Sequence, residues 1–263
     1  EKKERAEDTP LHGIYLPCFF ILFGSIFFWN VYVTLGALGL CSSLLAYRFL
    51  MEYFRQKDLL SISKFNKFEL IDKTIITKDT AIYKFKLNDP DESIDIPLCY
   101  NLMCKFNLPI EDDDNDNEIG GSNKEVKYQD YFRYYTPISS KYEKGEFDLL
   151  IKSYPEGKIS KIFASLQIHQ TVSFKGPVGK LPPTFLPSVY DDPDEISKSR
   201  LLMISGGTGI TPMLRVIIES PVTLNLNLLH YSTSANNLYL KDEIDNVQFL
   251  RKNFNLKYSF GKF

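Results

Sequence analysis

Three short segments concentrate the residue types that could do chemistry. The first is Arg133-Tyr134-Tyr135-Thr136-Pro137-Ile138-Ser139. A planar guanidinium pairs with phosphate through two parallel N–H bonds. Tyr135 can bond a phosphate or ribose and pack on a ring, the Thr136 hydroxyl or N–H can approach a ring nitrogen, and Pro137 fixes the backbone just afterwards. The second is Leu150-Ile151-Lys152-Ser153-Tyr154-Pro155-Glu156-Gly157-Lys158-Ile159-Ser160. It reads as a strand with Lys152 and Tyr154 on one face, a turn at Gly157 and a helix start, whose N–H groups suit phosphate. The third, Ser205-Gly206-Gly207-Thr208-Gly209-Ile210-Thr211-Pro212-Met213, is a glycine turn between an apolar strand and a helix. Glycines there let backbone approach a pyrophosphate closely.

Each segment has a plain alternative. The first could be a strand with a tyrosine ladder, the second a hairpin end with a cap serine, the third a tight strand–helix turn. The third is neither G-x-G-x-x-G nor a Walker A loop, since no Gly-Lys-Ser/Thr follows. In this order, however, a flavin surface and a nicotinamide cradle side by side would make an electron-transfer enzyme.

The elements that must position these residues follow from periodicity. Residues 68–76 and 81–87 alternate with period two and read as strands. Further strands are expected at 131–135, 147–154 and 171–175, and a barrel-closing turn at 174–179, which together predict an antiparallel barrel or sandwich. Residues 181–199 read as a linker or surface loop. After them, 200–204 is an uninterrupted apolar run, the pattern of a parallel strand covered on both faces. A helix over 212–219, a strand over 224–231, a helix over 238–250 and a strand over 256–260 give the strand–helix alternation of a doubly wound α/β domain.

Residues 14–47 contain no charge, too long a run for a signal-peptide core and long enough to span a bilayer of about 30 Å. Basic residues flank both ends (Lys2, Lys3 and Arg5; Arg48, Arg55 and Lys57), which suits a hairpin near Trp29-Asn30 with both ends in the cytosol, although one tilted span would also hold the run. The first residue is Glu1, so the chain is expected to be cut or processed at its N-terminus. The domain expectation is a polar flank at 1–13, one or two transmembrane segments within 14–50, a flavin-binding barrel domain at 62–182 with an acidic loop at 111–123, and a partial nucleotide-binding α/β domain at 199–263.

The 263 residues are 44% hydrophobic and 24% charged, with a net charge of -2 and no basic cluster, which argues against a nucleic-acid partner. Cys18, Cys41, Cys99 and Cys104 show neither a disulfide framework nor metal-ligand spacing and read as reduced thiols. The acidic run 111–118 lacks the spacing of an EF-hand loop, so no metal is expected.

Taken together, Arg-Tyr-Tyr-Thr-Pro-Ile-Ser, Tyr-Pro-Glu-Gly-Lys-Ile-Ser and Gly-Gly-Thr-Gly-Ile-Thr-Pro-Met-Leu resemble the ferredoxin–NADP reductase superfamily and, within it, NADH–cytochrome b5 reductase, from about Phe65 to the end of the chain. The resemblance implies a membrane helix or helical hairpin, an antiparallel β-barrel flavin domain and an α/β nucleotide-binding domain. It implies that Arg133, Tyr135, Lys152, Lys158, Ile159 and Ser160 hold FAD, with Tyr134, Ser139, Leu150, Tyr154 and Gly157 in the same motifs. Thr136 would act at the flavin N5 edge as the catalytic residue. Gly206, Gly207, Thr208, Gly209, Thr211 and Pro212 would face the nicotinamide dinucleotide. The implied reaction passes a hydride from NADH to FAD and then electrons to cytochrome b5 or a similar haem protein. The implied setting is the endoplasmic reticulum or mitochondrial outer membrane, with the catalytic part facing the cytosol.

The chain departs from the pattern in three places. Tyr134 stands where the family often has proline, the acidic loop is an insertion, and the family's later Cys-Gly-Pro-Pro segment is not in this sequence, so the nucleotide domain is expected to be incomplete. The last departure leaves open a second class of function, a flavin-binding or scaffolding membrane protein without turnover. A reductase for another acceptor, such as a quinone, is a third reading. After the second α/β strand, Tyr231-Ser232-Thr233-Ser234-Ala235 carries no arginine for a 2′-phosphate, which favours NADH over NADPH.

Overall fold

The computed structural model describes residues 15–27, 31–58, 60–94, 96–110, 126–182, 186–187 and 191–261. The polar flank 1–13, the acidic loop 111–123 and the turn at Trp29-Asn30 therefore lie outside the described residues. The chain divides into two units, Glu1–Asp58 and Leu59–Phe263.

The first unit holds helices α1 (Tyr15–Phe27) and α2 (Val31–Asp58). They touch: the Cys41 thiol lies 3.7 Å from the Cys18 carbonyl oxygen. Helix α1 has 13 residues, about 20 Å at 1.5 Å per residue, short of a bilayer core. Within α2, Val31–Met51 is long and apolar enough to cross a membrane. Phe19, Phe20, Val31, Tyr32, Leu35 and Phe49 are all exposed. Residues 52–58, rich in charged residues, continue the helix of α2. Polar residues propagate a helix well once an apolar segment has nucleated it.

The second unit opens with a six-stranded antiparallel sheet built from β1 (Asn66–Thr77), β2 (Thr80–Lys86), β3 (Asn101–Pro109), β4 (Tyr128–Tyr135), β5 (Glu146–Lys152) and β6 (Thr171–Val178), in the order β4-β3-β6-β1-β2-β5. The two outer strands meet just past the end of β4. Pro137 bridges Leu149, and Ile138 N–H donates to the Asp148 carbonyl at 2.9 Å, closing the barrel. The interior is aromatic, with Phe68, Phe85, Phe147 and Phe174 stacked or edge-on at centroid separations of 5.0–6.2 Å. Helix α3 (Lys158–Ser165) plugs one end with Phe163, fully buried against Tyr83, Phe85, Phe106 and Tyr135.

Strand β3 is not legible in the sequence. Asn-Leu-Met-Cys-Lys-Phe-Asn-Leu-Pro has no β-branched residue, and its alternation becomes meaningful only when Leu102 and Cys104 turn into the core. The turn expected at 174–179 is instead the continuation of β6 to Val178. The linker expected at 181–199 contains a short helix α4 (Pro193–Lys198), capped by the Asp192 carboxylate accepting from Asp194 N–H at 3.0 Å.

A parallel sheet β7 (Arg200–Gly206), β8 (Asn225–Ser232) and β9 (Phe254–Phe260) follows, with crossover helices α5 (Ile210–Glu219) and α6 (Lys241–Leu250). Sequential strand order and right-handed crossovers put both helices on one face, where they touch each other. So β7 is covered on one face among the described residues rather than two: Met203 and Ser205 are buried, while Leu202 and Ile204 are 66% and 59% exposed. The apolar core of this half also takes in Ile82, Leu98, Ile138 and Leu150 from the barrel half. Arg215 adds a polar tie, donating to the Ile96 carbonyl at 2.9 Å while paired with Glu219 at 2.8 Å, both side chains buried. Arg251 binds the carbonyls at the C-terminal end of α5, including Ile217 at 3.0 Å, where the helix dipole favours a cation.

Candidate functional site

A cleft of about 620 Å³ opens between the two halves of the second unit. Its floor and walls come from the three segments singled out in the sequence. Arg133, Tyr134, Tyr135 and Thr136 enter from the barrel seam, Leu150, Lys152, Tyr154 and Gly157–Ser160 from β5 and the start of α3, and Thr208, Gly209, Thr211 and Pro212 from the glycine turn. Of the expected site residues, Ser139, Gly206 and Gly207 do not line it. Ser139 is buried in the seam, where its hydroxyl accepts from Asp148 N–H at 3.2 Å. Gly206 ends β7 and Gly207 opens the turn that follows.

The barrel seam explains the first segment. Strand β4 ends at Tyr135, so Thr136 falls where the chain leaves one strand and closes on another. Its hydroxyl donates to the Asn101 side-chain oxygen at 2.6 Å, which fixes its rotamer. Asn101 opens β3, the strand the sequence does not reveal, and this contact is invisible in the motif. Tyr135 packs edge-on against Phe163 at 5.3 Å, and burial raises its hydroxyl well above the ordinary tyrosine value. The Arg133 guanidinium is exposed, donates to the Phe132 carbonyl at 2.8 Å, and has no ion-pair partner among the described residues.

The second segment is a self-bonded turn. Tyr154 N–H donates to Ser160 Oγ at 3.1 Å, and that hydroxyl lies 3.4 Å from the Gly157 carbonyl. Ser160 therefore spends its side chain inside the turn and offers the cleft only its backbone. Helix α3 has no side-chain cap, and its N-terminal end carries the partial positive charge that suits an anion. Lys158 rides over the Tyr131 ring at 5.5 Å. Lys152 stands at the end of β5 beside Asp79, 3.4 Å from its carboxylate. Burial opposes charge on Lys152, but Tyr239 and Asp79 outweigh it and raise the ammonium above its ordinary value.

The third segment is a 3₁₀ turn, Gly207–Gly209, between β7 and α5. Gly207 has φ +53, a left-handed conformation that favours glycine. A Cβ built at Gly206, Gly207 or Gly209 would meet nothing within 4 Å. The turn thus leaves space beside its glycines, of which Gly209 faces the cleft. A helix start with no side-chain cap, a guanidinium with no ion-pair partner among the described residues and a glycine turn around one cleft form a donor set that fits a dinucleotide such as FAD. Glu156 also lines the cleft and was passed over in the sequence, where it reads as a turn residue.

Comparison with known proteins agrees with this arrangement. The oxidoreductase FAD-binding domain family matches residues 67–115 and 121–182. The chain is 34% identical over 258 residues to the plasma membrane-associated coenzyme Q6 reductase PGA3 of Saccharomyces cerevisiae, covering 95% of this chain and 73% of that protein. It is 32% identical over 246 residues to NADH-cytochrome b5 reductase 1 of Ajellomyces capsulatus, covering 90% and 70%. Among solved structures, the cytochrome b5 reductase domain of Ulva prolifera nitrate reductase shares the fold, with a TM-score of 0.61, 24% identity, and coverage of 78% of this chain and 76% of that one.

Proposed function

Because the chain belongs to the NADH–cytochrome b5 reductase family of FAD-binding oxidoreductases, we propose that it takes a hydride from NADH and delivers electrons to cytochrome b5 or a similar haem protein. The observation that carries this reading is the convergence of Thr136 and Thr208, from the two halves of the unit, on one cleft. FAD, when bound, supplies the conversion of a two-electron donor into single-electron steps. The chain's own residues supply binding and orientation. Arg133, Lys158 and the N–H groups that open α3 hold phosphates. Tyr135 walls the ring, and Thr136, its hydroxyl committed to Asn101, presents a fixed contact at the reacting edge. The open turn at Gly206–Gly209 receives the nicotinamide dinucleotide. NADH is favoured over NADPH because residues 231–235 offer no cation and the Ser232 hydroxyl is turned inward, 2.9 Å from the Ser234 carbonyl.

In this reading 62–182 is the flavin domain, 199–263 belongs to the nucleotide domain, and α2 anchors the protein with its catalytic half in the cytosol. The endoplasmic reticulum and mitochondrial outer membrane are its proposed sites, and the name of the yeast relative adds the plasma membrane to the places that fractionation should compare. That same name favours a second acceptor, a quinone, over a purely structural role. The first test is an absorbance spectrum of detergent-purified protein before and after NADH without oxygen. A flavin spectrum that bleaches promptly supports the reductase. A flavin spectrum that stays oxidised supports a flavin-binding protein without turnover, and the absence of a flavin band overturns the reading. Adding cytochrome b5 or a short-chain quinone to the reduced protein then separates the acceptors.

A further inference from the structure

Tyr239 lies in the connection between β8 and α6, and nothing in the sequence motifs draws attention to it. It is the largest fully buried side chain of the described residues, 1% exposed, and packs in the core of the α/β half. Its hydroxyl crosses to the barrel half, 3.1 Å from Oγ1 of Thr80, itself 2% exposed. The Thr80 hydroxyl is also 3.1 Å from Asp79 Oδ1. The Thr80 hydroxyl donates to the Tyr239 hydroxyl, and the same single hydrogen is shared between that phenol oxygen and the Asp79 carboxylate. Asp79 Oδ2 in turn stands 3.4 Å from the Lys152 ammonium, and Thr80 is the direct cross-strand partner of Lys152 in the β2–β5 ladder. A continuous polar chain therefore runs from the nucleotide-side loop to a cation on the cleft wall.

The backbone beside Tyr239 points the same way. Leu240, the first residue before α6, has φ +57, a left-handed conformation that is strained for a leucine. Such strain persists where the surroundings over-determine the conformation, and it gathers at working sites. Here Tyr239 and Leu240 are consecutive and both buried, so the chain must turn sharply between them. The helix that the sequence predicts over 238–250 accordingly starts only at Lys241.

We propose that Tyr239 is a positioning residue: by its own contact with Lys152, whose ammonium lies 6.0 Å from its ring centre, and through Thr80 and Asp79, it holds Lys152 at the cleft and couples the loop that follows β8 to the flavin-side wall, so that nucleotide binding reads the state of this link. The inference rests on the reading of the cleft given above. Tyr239→Phe keeps the ring and removes only the bond. In the full-length protein, calorimetric titration with NAD+ should show affinity lowered about fivefold, the size of one buried hydrogen bond. FAD should be retained, and the melting temperature should fall by no more than the loss of one buried hydrogen bond accounts for. Hydrogen exchange should quicken at 77–81 as well as at 234–240. Thr80→Val should reproduce part of the effect, Thr80→Ser should not, and the double variant Thr80→Val/Tyr239→Phe should fall short of the sum of the two. Unchanged NAD+ affinity with unchanged exchange at 77–81 would overturn the proposal, as would fully additive effects. If the wild type carries no FAD, the functional reading fails, while the exchange at 77–81 still decides whether the link exists.

Discussion

The two glycine turns around the cleft look alike in sequence and differ in what surrounds them. At Gly157 a Cβ would meet Ser160 Oγ at 2.2 Å and the Tyr154 carbonyl at 3.3 Å. At Gly206, Gly207 and Gly209 it would meet nothing within 4 Å. The first glycine is needed by the protein itself, because the turn folds back on its own serine. The others are not required by any packing in this structure, and only Gly207 is required by its backbone angle. Space left open on a strand–helix turn is what close approach by a phosphate group needs. The comparison thus separates a turn built for folding from one built for a ligand.

The comparison can be tested most severely at Gly157. Gly157→Ala should destabilise the protein by about 1–3 kcal/mol, the usual range for overpacking, and should lower flavin content with it. Adding Ser160→Ala should recover part of the loss. Melting curves of the two variants decide this, and equal melting temperatures for Gly157→Ala and the wild type would remove the contrast. Next in size is Arg133→Ala, which should weaken FAD binding by roughly ten- to a hundredfold through loss of a charge-assisted contact. Arg133→Lys should restore only part, since the bidentate geometry is lost. Flavin retention after dialysis measures both, and full retention would reassign the phosphate to other donors.

A smaller effect on the fold, and the sharpest contrast, is expected at Gly209. Its φ is -64, accessible to any residue, so Gly209→Ala should stay within about 1 kcal/mol of wild-type stability. NAD+ affinity should nonetheless fall, with FAD retained. A variant that binds NAD+ normally would show that the open space is not used. The smallest effect concerns His230, fully buried on β8, with Nδ1 2.8 Å from the Ser205 hydroxyl just before the turn. Burial lowers its proton affinity from the ordinary value of 6.5. Below that value the unfolded chain binds more protons than the folded one, so stability should decline as pH falls below about 6.5 towards the depressed folded-state value. His230→Asn should flatten that slope in melting temperature, and an unchanged slope would place the titration elsewhere.

Much of the site was legible because its chemistry is local. Arg133, Thr136, Lys152, Gly157, Lys158 and Thr208 sit in short segments whose residue types announce phosphate and ring contacts, and the fold brings them to one cleft. Asn101, Asp79, Thr80 and Tyr239 were not legible, because each matters through a partner 35 to 159 positions away along the chain, on an element with no motif of its own. The same holds for Ser139 and Ser160: the sequence shows a hydroxyl, and only packing decides whether it faces a ligand or its own backbone.

The sequence by itself determined the class of the molecule. Its uncharged N-terminal run, its period-two strands and its strand–turn–helix alternation are set by local periodicity, which each element carries within its own residues. Tertiary structure alone decided which hydroxyls and cations meet, that both crossover helices lie on one face of the parallel sheet, and that α6 begins after a strained Leu240. Those outcomes depend on how the closed barrel and the parallel sheet share the core that contains Leu150 and Tyr239, a condition imposed by packing between distant segments and written in none of them alone.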